Sequence, residues 1–294
     1  MIKWRGISVS IHPLFSFTLL LSILTGSFLE VTLLFTLVLI HEWGHVVAAR
    51  SLGWKVIRVQ ILPFGGVAEM EEHFPPLWEE VVVALAGPAQ NFWLIGLGWM
   101  MMELQWWGEA WGMYVIEANL MIALFNFIPI APLDGGKLLQ AGFSRLFAFH
   151  QALIWTAGTG LLLSGLLILF AMYSLTIQAV SPHLWMIALF LFVSNYYALK
   201  HVPYRFMRFL IARGREPRTV PERRKTGFKR EPSIYVDVHT PVEMAVRQLR
   251  RDPCHLIYVY GPQGHIQHVM KEHKLIEWFF DPVWRKRTFS QCLP

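Results

Sequence analysis

The stretch His41-Glu42-Trp43-Gly44-His45 holds three side chains that could bind a metal ion or move protons beside it. Residues four apart share a helix face, so His41 and His45 can offer two imidazole nitrogens to one Zn²⁺ and leave positions open. Glu42 follows the first of them, swung about 100° around the helix, close enough to take a proton from a water activated by that metal. This is the HExxH arrangement of zinc peptidases. The apolar runs 31–40 and 46–49 flank it, so three ionisable groups sit inside a membrane-like segment. Each would cost about 2.5–3.5 kcal/mol at a bilayer centre, which argues against histidines kept only for packing.

A catalytic zinc takes three protein ligands and keeps one position for water. Arg50 marks the polar edge of the HExxH segment, and at 1.5 Å per residue His45 and His41 lie roughly 8 and 14 Å inside it. Asp134 reaches similar depth, since the next basic residue, Lys137, follows three positions later. It belongs to Asn126-Phe127-Ile128-Pro129-Ile130-Ala131-Pro132-Leu133-Asp134-Gly135-Gly136, whose prolines and glycines end any regular helix. Irregular backbone at membrane depth is tolerated only where it lines a protein cavity. Asp134 is therefore a candidate third ligand; read alone, it is equally a cap for the helix that follows.

The elements that must position these residues are helices in a bilayer. Of 294 residues 54% are hydrophobic and 16% charged, with a mean hydropathy of +0.41, which excludes an ordinary soluble globule. Segments of about 20 apolar residues, enough to cross roughly 30 Å of hydrocarbon, fall near 10–28, 31–49, 81–102, 113–131, 150–172 and 183–199. The expected fold is thus an α-helical integral membrane protein of about six transmembrane helices over residues 1–199, followed by a small α+β domain. Lys and Arg come in groups at 3–5, 50–58, 137–145 and from 200 onward, each gap two spans wide. The positive-inside rule then puts both termini in the cytoplasm. Residues 1–27 also fit a signal peptide, but retaining them as the first span is simpler. Trp99, Trp106, Trp107 and Trp111 read as an aromatic belt at the outer boundary. Cys254 and Cys292 are too few for a disulfide framework or a four-thiolate metal site.

Residues 200–230 hold eleven Lys and Arg, a basic juxtamembrane linker suited to anionic lipid. No aromatic interleaving or known module supports nucleic acid as a partner. Residues 231–294 read as strand, helix, strand, strand, helix. Thr240-Pro241-Val242-Glu243 forms a capping box for the first of those helices, which runs to Leu249. A segment of this size has a small core, and pairing between chains would complete it, so a homo-oligomer is expected.

HExGH in one span, Gly87-Pro88-Ala89-Gln90-Asn91 in the next, and NxxPxxPLDGG after a fourth resemble, in order and spacing, the site-2 family of intramembrane zinc proteases. With a tail similar to one CBS motif, the chain most resembles the branch of that family that processes pro-sigma-K in sporulation. The resemblance implies His41, His45 and Asp134 as ligands of one catalytic Zn²⁺, and Glu42 as general base. It gives Asn126 a substrate-handling or oxyanion role. It implies intramembrane endopeptidase activity on a membrane-associated protein substrate, with regulatory membrane proteins as further partners, and makes residues 56–68 a membrane-dipping hairpin whose edge could pair with an extended substrate. CBS pairs often bind adenine nucleotides, which would make ATP a regulator. Here, however, Lys271 and Lys274 stand where a Ser or Thr and an Asp commonly hold the ribose, and no nucleotide-binding residue is assigned.

Two other readings use the same cluster. A non-catalytic scaffold or sensor would leave intact HExGH and LDGG motifs unexplained. A metal transporter would need polar residues continuing to the outer face, where Glu117 and Asn119 are the main candidates.

Overall fold

The computed structural model describes residues 2–4, 7–11, 20, 22–62, 65–70, 74–176, 182–215, 233–252 and 254–293. It divides into two compact units, 1–138 and 139–294. Residues 12–19 and 21 of the first proposed span, near 10–28, lie outside the described residues, as do 216–230 of the basic linker.

Unit 1 opens with two strands, β1 (Ile2–Trp4) and β2 (Ile7–Ile11), so the chain is still extended where the first span was expected to begin. Helix α1 (Phe28–Ser51) carries the HExGH motif. The hairpin that follows forms as expected, β3 (Val56–Leu62) pairing antiparallel with β4 (Gly65–Met70). Strand β2 lies parallel to β3, giving the order β1-β2-β3-β4, in which β1 and β4 are edges.

Helices α2 (Leu77–Glu103) and α3 (Glu109–Asn126) complete the unit's apolar core. The core has two layers. Leu37, Leu94, Val115 and Ala118 pack together on one side of the histidines. On the other side Val46, Ala49, Val56 and Val83 do the same. Helix α3 stops at Asn126, short of the 131 expected from hydropathy, because Pro129 and Pro132 cannot continue it. The chain then turns, and Asp134 opens helix α4 (Asp134–Leu146). Among the described residues, α1, α2 and Phe149–Ser174 are long and apolar enough to cross a membrane, and Leu184–Lys200 is a shorter apolar helix.

In unit 2 the helix α5 (Phe149–Thr176) packs along α6 (Pro182–Lys200). Ala152, Ala157 and Ala171 of α5 and Ala188 of α6 are buried, and Gly160 of α5 lies against the Asn195 side chain of α6, a close approach that a small residue permits in lipid. Helix α7 (Val202–Arg215) is amphipathic and buries Val202, Phe206, Phe209 and Leu210.

The tail has the expected order: β5 (Ser233–Asp237), α8 (Val242–Val246), β6 (Leu256–Tyr260), β7 (Ile266–Lys271) and α9 (Glu272–Phe280). A short α10 (Phe289–Cys292) ends it. β5 runs parallel to β6, and β6 antiparallel to β7. Ile234, Val236, Ile257, Val259 and Met270 alternate onto the buried face of that sheet, the period expected of a half-covered sheet.

Two local expectations fail. The box at Thr240–Glu243 does not form: Pro241 is the N-cap without a side-chain bond, and it bridges to Thr288. The Glu243 carboxylate instead accepts from Arg247 at 2.8 Å. A capping box appears at Thr288–Gln291. Helix α8 also ends at Val246, before Leu249, whose carbonyl accepts from the Phe149 amide at 3.0 Å.

One ion pair ties α7 to this tail. Arg213 donates to both oxygens of Glu272, through Nη2 at 3.1 Å and through Nε, and also to the Arg251 carbonyl. The backbone amide of His255 donates to the same carboxylate at 2.9 Å. Burial alone would raise the Glu272 carboxyl, but the bonds from His255 and Arg213 and the Arg213 charge hold it below its ordinary value. A depressed carboxylate stabilises the fold above its unfolded pKa, and that contribution is lost as pH falls through the folded one. Glu272→Ala, which removes the carboxylate that neutralises buried Arg213, should cost roughly 3–5 kcal/mol. The protection factors of the Ile257 and Val259 amides, taken against the intrinsic exchange rate at each pH, should fall both in this variant and in the wild type on acidification; unchanged protection would remove the pair from the stability of the domain.

A candidate metal centre

His41 and His45 come from one face of α1 and Asp134 from the first residue of α4; all three are buried. Their facing atoms converge. Asp134 Oδ2 lies 3.2 Å from His41 Nε2 and 2.9 Å from His45 Nε2, and the two Nε2 atoms are 3.2 Å apart. The three residues form the candidate metal group among the described residues, with ligand atoms within 4.8 Å of one another.

The protons on these rings follow from their outer bonds. His45 Nδ1 faces the Val83 carbonyl at 2.7 Å, and a carbonyl only accepts, so Nδ1 carries a proton and in the neutral ring Nε2 holds the lone pair. His41 is set through a longer chain. Asn119 donates from Nδ2 to the Val115 carbonyl at 2.8 Å, which turns its Oδ1 to accept from Asn91 Nδ2 at 3.0 Å. Asn91 Oδ1 is thereby left to accept from His41 Nδ1. In their neutral form both imidazoles would therefore present an unprotonated Nε2 beside Asp134 Oδ2, as a metal ligand must. Lys137, with Nζ 2.8 Å from Asp134 Oδ1, engages the other oxygen and leaves Oδ2 for the histidines.

Three lone pairs facing one another repel unless a cation lies among them. Two imidazoles and a carboxylate are the donor set of a catalytic zinc. Ligands about 2.05 Å from a tetrahedral ion stand roughly 3.3 Å apart, close to the 2.9–3.2 Å found. The residues fit the ion.

Close packing makes room for them. A Cβ on Gly87 would fall 2.3 Å from His45 Nε2 and 2.7 Å from His41 Nε2. One on Gly44, between the histidines, would meet the Ala86 carbonyl oxygen at 2.6 Å. Gly135 and Gly136 likewise lie under the backbone of 127–131, where a Cβ would stand 2.4 Å from the Phe127 oxygen and 2.5 Å from the Ala131 nitrogen.

Glu42 is half-buried on α1 beside the first histidine. Asn126 is not part of the cluster: its Nδ2 donates to the Ile122 carbonyl of its own helix at 3.0 Å. Lys274 lies 5.5 Å from the Trp278 ring, a cation–π contact. The sequence reading missed the orienting residues. Asn91 entered it as a motif letter, Asn119 as a possible step in an ion path and Lys137 as a topology marker. The signal for Asn91 was its position four residues after Gly87, one helical turn along the face that meets α1.

Residues 29–109 match the model of Peptidase family M50. Stage IV sporulation protein FB of Bacillus subtilis is 36% identical over 218 residues, covering 72% of this chain and 73% of its own. A zinc metalloprotease of Methanocaldococcus jannaschii is 32% identical over 186 residues, 60% of this chain and 54% of its own length. The solved structure of the site-2 protease from that archaeon superposes with a TM-score of 0.51 at 26% identity, covering 68% of this chain and 94% of its own.

If the amide chain sets the His41 lone pair, Asn91→Leu should lower zinc affinity by about 10- to 100-fold, the cost typical of losing a partner behind a metal ligand. Competition with a graded series of chelators measures it, and wild-type affinity in the variant would show that His41 needs no such support.

Proposed function

The chain belongs to peptidase family M50, the family of the site-2 protease, and from its membership as a zinc metalloprotease we propose how its residues divide the work. His41, His45 and Asp134 hold the zinc, and Glu42 is the general base. The observation that carries this is the convergence of two Nε2 atoms and one carboxylate oxygen in the apolar interior of unit 1, with the Nδ1 of each ring already engaged by an acceptor.

Zinc, when bound, supplies the Lewis acidity that activates a water and polarises the scissile carbonyl. Glu42 takes the proton from the attacking water and returns it to the departing amine, so no covalent link to the enzyme forms. The apolar layers on either side of the histidines keep bulk water from the site and strengthen every charge interaction within it. Lys137 keeps Asp134 ionised and oriented. Asn126 can donate to the developing oxyanion if it exchanges its Ile122 bond for the substrate. As an edge strand, β4 offers an extended substrate a strand partner.

The substrate class is a membrane-associated protein, and the motif resemblance points to pro-sigma-K. Stage IV sporulation protein FB is the relative that supports a sporulation setting. The basic-residue groups favour six spans with both termini in the cytoplasm. In this reading 1–199 is the protease, 200–230 a basic linker and 231–294 a CBS-like domain that joins copies of the chain. ATP would act on that domain as a regulator, and membrane proteins would restrain the protease.

Ligand and base separate by mutation although they are neighbours in sequence. His41→Ala or Asp134→Ala should lose both zinc and cleavage of a membrane-tethered substrate. Glu42→Gln keeps the size and the hydrogen bond but cannot accept a proton, so zinc should stay while turnover falls by about 10²- to 10⁴-fold. Near wild-type cleavage by Glu42→Gln, or full zinc content and activity in Asp134→Ala, would overturn the assignment.

A further inference from the structure

Helix α3 has two unlike faces. Gly112, Val115, Ala118, Asn119 and Ala123 are buried, with Val115 and Ala118 packed against Leu37 of α1 and Leu94 of α2. The other face exposes Met113, Glu117, Leu120, Met121 and Leu124. These stand at i, i+4, i+7, i+8 and i+11, the spacing by which one helix packs along another.

Four of the five suit lipid. Glu117 does not. It lies eight residues from the start of α3 and nine from its end, roughly 12 and 14 Å along the axis, too deep for its short side chain to reach either rim. The neighbouring α2 is long and apolar enough to span the bilayer, and Asn119, two residues on, bonds across to Asn91 in its interior. A carboxylate at that depth costs about 2.5–3.5 kcal/mol against lipid. Among the described residues no hydrogen bond or ion pair reaches it. The catalytic site has no use for it, because it faces away from the amides that orient His41.

We propose that this stripe is the docking face for a transmembrane helix of a separate polypeptide, which sets a cationic hydrogen-bond donor, a Lys or Arg side chain, against Glu117. Charge complementarity selects that occupant. A second copy using the same stripe about a twofold axis would bring one Glu117 against the other, a pairing of like charges. Met113 and Met121 give the flanks an adaptable surface, and the central carboxylate sets the register, as a lone polar residue does in a helix seam. The inference rests on α3 lying within the bilayer and not on the catalytic assignment.

The test uses the full-length protein in proteoliposomes with synthetic polyleucine transmembrane peptides, one carrying a central Lys and one without it. Energy transfer between labelled protein and peptide reads association. The Lys peptide should bind at least about fivefold more tightly, as expected for an interhelical polar contact. Glu117→Leu should abolish that preference and Glu117→Gln reduce it, with zinc content unchanged in both as a check on folding. Equal binding of the two peptides to the wild type, or a preference that survives Glu117→Leu, overturns the proposal. A fall in oligomer mass of Glu117→Leu in native mass spectrometry, with no peptide preference in the wild type, would assign the stripe to a second copy and overturn it as well.

Discussion

Two imidazoles and a carboxylate turn their lone pairs on one another inside a bundle of apolar helices, and much of unit 1 exists to hold them there. With both rings neutral the arrangement is unfavourable without a cation, so it must be enforced from behind. Val83 enforces it for His45 with one carbonyl. For His41 the enforcement passes through two amides to the Val115 carbonyl of a third helix, and Lys137 does the same for Asp134. Each outer bond ends on a group whose proton role is fixed, so the orientation of every donor is determined in turn. α1, α2, α3 and the start of α4 thus act together on the candidate metal site, although only α1 and α4 carry its candidate ligands.

Such a chain of short bonds needs helices that approach closely, and here the glycines have their place. Gly44 lets α1 lie on the Ala86 carbonyl, and Gly87 leaves the volume that the two imidazole edges fill. Without a hydrophobic force between helices in lipid, small residues and interhelical hydrogen bonds supply the association. Asn91 and Asn119 serve that end as well as orienting His41. In unit 2 a comparable polar tie, Arg213 with Glu272, is paid for by several bonds to one carboxylate.

The parts legible in the sequence were those written in short spacing. HExGH placed two donors on one helix face, the prolines at 129 and 132 ended α3, and counting residues from Arg50 and Lys137 put Asp134 at the depth of the histidines. The strand order of the tail was legible for the same reason, since alternation and turn residues are local. What escaped depends on chain segments that meet only after folding. Nothing near Asn91 says that its oxygen faces His41, and Asn119 reads equally well as part of an ion path. Thr240 through Glu243 matched a capping box letter by letter, yet a bridge to Thr288 took the backbone there and Arg247 took the carboxylate. Nor does the sequence near Asn126 announce that its amide donates to the Ile122 carbonyl of its own helix.

The central claim is that the metal is held by two histidines and one aspartate and by no sulfur. X-ray absorption at the zinc edge of the purified full-length protein tests it directly. The account predicts a shell of nitrogen and oxygen at about 2.0–2.1 Å, with outer-shell scattering from two imidazoles and no sulfur. A sulfur shell near 2.3 Å, which would bring Cys254 or Cys292 to the metal, or a spectrum without imidazole scattering, would contradict it.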